Sequence, residues 1–201
     1  YTLYFKKNKN IKTKIVPALR NRNLFNKKFS YKNPISVKKN IFIILSSNNK
    51  ETKNILSMLG NIINKFDKNK FSFTICPHIT TNLGSDILEN NVFSISKGNF
   101  QKNLINSDVV ISGGTTATIE AAIFNKKQIV IGNKYGLTIN PLVPSKYNKF
   151  RVCYSEGELE KGILDLTLKN KYYKTNNMLN KNLLNFYFEK TKKNKLNSFF
   201  I

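Results

Sequence analysis

No apolar run in this 201-residue chain approaches the ~20 residues that a helix needs to cross a bilayer. Cysteine is scarce: Cys76 and Cys153 stand far apart, with no second cysteine at metal-binding spacing. That excludes a disulfide framework and a cysteine-rich zinc module, and two reduced core thiols of an intracellular protein are expected. Acid is scarce too, with 11 Asp and Glu against 34 Lys and Arg, for a formal net charge of +23. The sequence offers no Asp-x-Asp motif for a metal, so no metal and no separate cofactor is expected. His78 is the only histidine. There is no internal repeat, no long basic run and no recognisable nucleic-acid module. The chain begins at Tyr1, so the want of a signal peptide excludes nothing.

What is present suits one globular domain with extensions: 40% hydrophobic residues and nine glycines. Lys, Asn, Ile, Phe and Tyr are abundant together, a composition that AT-rich coding produces without selection for any partner. The basic residues are dispersed, as in Lys6-Lys7, Lys38-Lys39, Lys126-Lys127 and Lys192-Lys193. A solvated basic surface is the plain expectation. Peripheral contact with an anionic membrane or glycan comes second, and nucleic acid is the last partner expected.

Residues 1–35 are basic and weakly periodic, with the apolar piece Ile15–Leu19, and Asn33-Pro34 marks a boundary. Beyond it the pattern changes. Ile41–Leu45 is a continuous apolar run, as expected of a parallel strand covered on both faces. Ser46-Ser47-Asn48-Asn49 ends it, and Ile55, Leu56, Leu59, Ile62 and Ile63 then repeat at helical spacing. Further strands are predicted over Phe71–Ile75, Asn91–Ser96, Asp108–Ser112, Gln128–Gly132 and Arg151–Ser155. Helices fall between them: a brief one with Phe100, Leu104 and Ile105, then Thr116–Phe124, and one from Glu156. Leu179, Leu183, Leu184 and Tyr187 suggest a last helix in the tail. Such alternation predicts an α/β fold with a doubly wound parallel sheet. A helix over Thr116–Phe124 would run roughly 14 Å. It would thus match a strand of roughly 16 Å closely enough for a tight βαβ crossover.

In open parallel sheets ligands sit beyond the carboxyl ends of the strands. Four segments rich in small polar residues are expected at that edge: Ser46–Asn49, Cys76–Thr81, Ser112–Thr116 and Gly132–Gly136. In Ser112-Gly113-Gly114-Thr115-Thr116 the glycines admit a close backbone approach and the hydroxyls can bond ligand oxygens. Amides of the following first turn would favour an anion there. Plain capping by Thr115 or Thr116 is the simpler reading, but it uses one hydroxyl of several. Glu120 has no Ser or Thr three residues before it and no base three or four after. One turn behind a bound phosphate, its carboxylate could hold the two hydroxyls of a ribose; a favourable dipole charge is the alternative. His78, directly after a strand, is either structural or a phosphate donor or acid. The loop from Gly132 through Tyr135 and Gly136 to Pro141 is either a surface turn or a cover for a base or sugar.

The strand, Ser-Gly-Gly-Thr-Thr turn, Ile-Glu-Ala-Ala helix and apolar strand of 108–132 resemble the donor-site signature in the C-terminal, nucleotide-sugar-binding half of GT-B glycosyltransferases. Pro77-His78 resembles the Lys-Pro-His-Pro stretch of bacterial surface-polysaccharide transferases, including those using CMP-linked acidic sugars. Pro17-Ala18-Leu19-Arg20 with Asn23-Leu24 looks like the segment joining the two halves of such enzymes. The likeness spans residues ~15–165 and is specific only over 108–132. It departs at Cys76, at Ile79, and at Asn125-Lys126-Lys127-Gln128, where Gly-x-Pro is usual.

The resemblance implies a Rossmann-like domain of the GT-B C-terminal type over 36–168. Residues 1–35 would be a linker or remnant of a missing N-terminal domain, and 169–201 a C-terminal helix and tail. Ser46, Ser47, Ser112, Gly113, Gly114, Thr115, Thr116, Glu120, Tyr135 and Gly136 would bind the donor, with His78 as the catalytic candidate. The turn and His78 would take the phosphate, Glu120 the ribose, and the half would stabilise the departing nucleotide phosphate. Its partners would be a nucleotide-sugar and a glycan or lipid-linked acceptor in capsule or lipopolysaccharide synthesis, in the cytoplasm at the inner face of the membrane. A half without its acceptor domain is expected to be a fragment, or a degenerate half, of a larger transferase. Two other readings remain. A sugar-nucleotide epimerase or hydrolase would need more acidic and histidine residues in the cleft, and a non-catalytic basic module would need lysines clustered on one face.

Overall fold

The computed structural model describes residues 38–81, 93–142, 150–168 and 181–187. The readings for residues 1–35, Asn91, Val92, Leu179 and the end of the tail lie outside the described residues. The chain divides into two units, Phe29–Leu183 and Tyr1–Lys28 with Leu184–Ile201. The first contains the whole sheet.

Its strands are β1 (Lys39–Ile44), β2 (Phe71–Cys76), β3 (Phe93–Ile95), β4 (Val109–Ser112), β5 (Lys127–Ile131) and β6 (Phe150–Cys153). The helices are α1 (Asn49–Ile63), α2 (Phe100–Ile105), α3 (Ala117–Ile123), α4 (Glu156–Leu168) and α5 (Lys181–Tyr187). All strand pairs are parallel, in the order β3-β2-β1-β4-β5-β6. The fold is therefore the α/β, Rossmann-like doubly wound sheet that the alternation predicted. Its strand order reverses between β1 and β4, the place where such sheets hold ligands.

The apolar runs become strands because each is covered on both faces. Ile41, Ile43, Val109, Ile111, Ile129 and Ile131 turn toward α1 and α4, where Ile55, Leu59, Ile62, Leu159 and Ile163 complete one core. Each such fully buried side chain contributes roughly 1.5–3 kcal/mol relative to exposure. Phe42 points the other way, as strand alternation requires, and its ring meets Phe100 of α2 at 5.9 Å. Asn48 starts α1, its Oδ1 accepting from the amides of Lys50 and Glu51 at 3.0 and 3.3 Å. Leu56 is only partly buried, while Met58 joins the core instead.

Observed boundaries differ from the sequence expectation by a residue or two, and some have a visible cause. Strand β6 stops at Cys153 because the Tyr154 amide donates to Glu158 Oε2 at 2.7 Å. Ser155 Oγ in turn accepts from the Glu158 amide at 3.3 Å, a reciprocal pairing like a capping box at the start of α4. Helix α3 is shorter than the nine residues expected. It ends at Ile123 with Phe124 as C-cap, and Asn125 adopts φ +55°, a left-handed residue that turns the chain into β5.

The β1–β4 seam is fastened at both ends by a carboxylate on a backbone amide. At the amino edge, Asp108 Oδ2 accepts from the Asn40 amide at 2.8 Å. At the carboxyl edge, Glu51 Oε1 accepts from the Gly114 amide at 2.6 Å. Both cysteines are free thiols; Cys153 is in the core, but Cys76 is only half-buried at the end of β2. Burial pushes the Cys153 thiol up to about 11 and raises that of Cys76, against a lowering hydrogen bond with Ser96. No helix among the described residues is long and apolar enough to cross a membrane.

Candidate functional site

The carboxyl ends of β1, β2, β4 and β5 bring all four nominated segments to one edge. In register, Ile44 of β1 pairs with Cys76 of β2 and with Ser112 of β4. The turns after β2 and β4 therefore flank the end of β1, two inter-strand spacings or roughly 10 Å apart.

The turn after β4 is internally braced. Ser112 is fully buried, and its hydroxyl lies 3.2 Å from the Thr118 hydroxyl. Thr118 Oγ1 also donates to the carbonyl of Thr115 at 2.6 Å and reaches that of Gly113 at 3.4 Å. Thr116 is the N-cap of α3, yet its exposed side chain makes no capping bond. Only a long contact, Ala117 N to Thr115 Oγ1 at 3.4 Å, resembles the capping that the sequence allowed. With seven residues, α3 offers a short helix and little dipole, so the anion donor of interest is the Gly114 amide itself.

Both glycines are required by close approach. A Cβ on Gly113 would fall on the Glu51 carboxyl group. A Cβ on Gly114 would lie 2.9 Å from both Cβ and the carbonyl oxygen of Ile139, which folds over the turn from the loop after β5.

After β1, Ser46 is buried, its Oγ accepting from the Asn48 amide at 3.1 Å, while Ser47 is exposed. The Ser46 carbonyl accepts from Thr52 Oγ1 at 3.0 Å and from Thr81 Oγ1 at 3.1 Å, tying the β2 turn to that of β1. Within the β2 turn, His78 Nδ1 lies 2.8 Å from Thr80 Oγ1 and accepts from the Thr80 amide at 3.3 Å. An amide donor on Nδ1 places the ring proton on Nε2. Glu120 lies in α3 and is buried at 7% exposure.

The loop after β5 is held by Asn133 N donating to Thr138 Oγ1 at 3.0 Å and Tyr135 N to Asn133 Oδ1 at 3.1 Å. Tyr135 and Leu137 are 90% and 87% exposed, Ile139 is exposed, and Gly136 stands among them. Between this loop and the start of α1 runs a groove of about 380 Å³, lined by Lys50, Glu51 and Asn54 on one side and Asn133, Leu137 and Ile139 on the other. Asn48 and the loop residues Asn133, Leu137, Thr138 and Ile139 line the groove, but none of the residues expected singly to bind the donor or act in catalysis does; the groove meets the glycine turn through Glu51 and Ile139.

Sequence reasoning passed over Glu51. Its only local signal is an acid in a helix first turn, which reads as a dipole charge. What gives it meaning is that β1 and β4 are neighbours, and strand order is invisible to local pattern.

No family model matches the chain, and no curated protein matches it. Solved structures do. The glycosyltransferase of kitacinnamycin is similar over 69% of this chain and 37% of its own, at 12% identity and TM-score 0.44. SnogD, a glycosyltransferase from Streptomyces nogalater, is similar over 68% and 37%, at 13% identity and TM-score 0.43. A candidate UDP-N-acetylglucosamine 2-epimerase from Listeria monocytogenes is similar over 72% and 41%, at 16% identity and TM-score 0.44. This chain thus spans about two-fifths of their length. Glycosyltransferase is the class that the sequence resemblance named, and a sugar-nucleotide epimerase is the first of the two alternatives kept beside it. At these scores and identities the likenesses carry no argument about activity.

Proposed function

We propose that this chain is the donor-binding half of a glycosyltransferase, the part that holds a nucleotide-sugar while another half presents the acceptor. The observation that carries the reading is the Glu51 carboxylate on the Gly114 amide. The turn beside the sheet's switch point already donates to an anionic oxygen at hydrogen-bond distance, as it would to a phosphate of the donor. Two further features support it. The Gly113–Thr116 turn lies where doubly wound sheets bind nucleotides, and an open groove bounded by an exposed loop adjoins it.

In this reading the turn amides and His78 Nε2 bind the donor phosphates and stabilise the charge that develops as the nucleotide departs. Glu120 orients the ribose, and Tyr135 and Gly136 close over the base or sugar. No metal or separate cofactor takes part. The acceptor is a glycan or lipid-linked glycan of a surface polysaccharide, and the basic surface sets the chain against the inner face of an anionic membrane.

The test is calorimetric titration with CMP, UDP and GDP at moderate salt, comparing wild type with Glu120→Ala. Saturable binding of one nucleotide, weakened about tenfold or more by the substitution, is the expected result. Salt-dependent binding of any polyanion without nucleotide binding would sink the donor-half reading in favour of a basic module.

A further inference from the structure

We infer that Glu51 is an internal competitor for the anion position at the Gly113–Gly114 turn, which the donor phosphate must displace to bind. The inference deepens the donor-half reading and rests on it for the identity of the ligand.

The carboxylate offers the turn what a phosphate would offer, an anionic oxygen at 2.6 Å from the Gly114 amide. It also fills the hollow left by the missing side chain of Gly113, since a Cβ there would fall on it. A phosphate oxygen cannot use the same amide along the same line until Glu51 withdraws.

Among the described residues the attachment is a single one. In a chain with 34 basic residues, no lysine or arginine among the described residues pairs with Glu51, although Lys50 and Lys53 are its near neighbours. Nor is Glu51 enclosed. It is half-buried on the wall of the 380 Å³ groove, so rotation about its side-chain bonds can move it into open space without shifting α1.

A tethered carboxylate is present at high effective concentration, so it defeats a weak free anion. A ligand with several anchors overcomes it. Glu51 thereby raises the threshold for binding and favours a diphosphate or a nucleotide over a lone small anion.

The experiment titrates the full chain with pyrophosphate, CMP and UDP at fixed ionic strength. Wild type is compared with Glu51→Gln and Glu51→Asp, while the Gly114 amide is followed by NMR. Aspartate keeps the charge but is one methylene shorter and is withdrawn from Gly114. Both variants are expected to bind pyrophosphate and one nucleotide about tenfold tighter than wild type, the size expected of a charge-assisted hydrogen bond removed from the competition. Equal affinity in all three forms overturns the inference and leaves the donor-half reading intact. Tighter binding by Glu51→Gln alone overturns it as well, because that is general charge repulsion. Tighter pyrophosphate binding by both variants with no nucleotide bound by any form upholds the competitor and overturns the donor reading. No anion bound by any form overturns both. If a variant fails to fold, wild type decides: pyrophosphate must move the Gly114 amide resonance, and an unmoved resonance overturns the inference.

Discussion

Lys126 and Lys127, adjacent in sequence, fasten helices on opposite faces of the sheet. Lys126 Nζ donates to the carbonyls of Ile105 and of Ser107, the latter at 2.9 Å, where α2 ends. Lys127 Nζ donates to the carbonyl of Leu166 in the last turn of α4 at 2.6 Å. Orphan carbonyls at helix ends favour cations, so two residues of β5 and its approach complete two helices.

Burial holds the Lys126 ammonium down at about 8, with the Asp108 carboxylate pulling the other way. Between about pH 8 and the ordinary lysine value of 10.5, the unfolded chain therefore binds more protons at this site than the folded one. Stability contributed here rises with pH across that window. Urea unfolding of wild type and Lys126→Met at pH ~7.5 and ~9.5 should shift the difference toward wild type at the higher pH, by on the order of 1 kcal/mol.

The two glycines of the candidate site should respond differently to alanine. Gly113→Ala meets the far end of a mobile Glu51 side chain, so it should cost about 1 kcal/mol, chiefly the lost hydrogen bond. Gly114→Ala meets the Ile139 backbone carbonyl and must push the loop away, so it should cost about 2 kcal/mol. Urea midpoints measure both, and equal costs would contradict the packing of Ile139 on the turn.

Asn125 makes a left-handed turn where the resemblance has glycine. Asn125→Ala is expected to destabilise by roughly 1 kcal/mol and Asn125→Gly by less, because glycine accepts φ +55° without strain. Thermal melts of the three proteins give the order.

Thiol reagents act on the thiolate, and burial disfavours it at both cysteines. Half-exposed Cys76 should be alkylated first in the folded chain, with Cys153 reacting only on unfolding. Mass spectrometry of samples quenched at intervals, with and without urea, distinguishes the two sites.

The strands were legible because a parallel strand covered on both faces must be apolar throughout, and Ile41–Ile44 and Val109–Ile111 are. Helix α1 was legible from its period. The Gly113–Thr116 turn stood out because small polar residues break in between two apolar runs. Three features were not legible. Glu51 acquires its partner from a strand order that no local pattern encodes, and Lys126 and Lys127 look like any exposed basic pair until the helix ends beside them are known. Ile139 reaches Gly114 from a loop whose path is set by tertiary contact. Departure from Gly-x-Pro weakened the resemblance in sequence, and Asn125 there adopts a left-handed φ that asparagine tolerates better than most residues.

The fastened seam also bears on how the chain assembles. Strand β1 can find β2 across one helical crossover, and β4 can find β5 in the same way, both over short stretches of chain. Joining the two ribbons is different, for Asn40 and Asp108 are 68 residues apart and Glu51 and Gly114 are 63. Closing loops of that length is the costly step in chain entropy, and contacts of long sequence separation slow folding. The junction that forms the candidate site is thus the one that topology makes slowest to form, and its two carboxylate clasps close only after the ribbons have met.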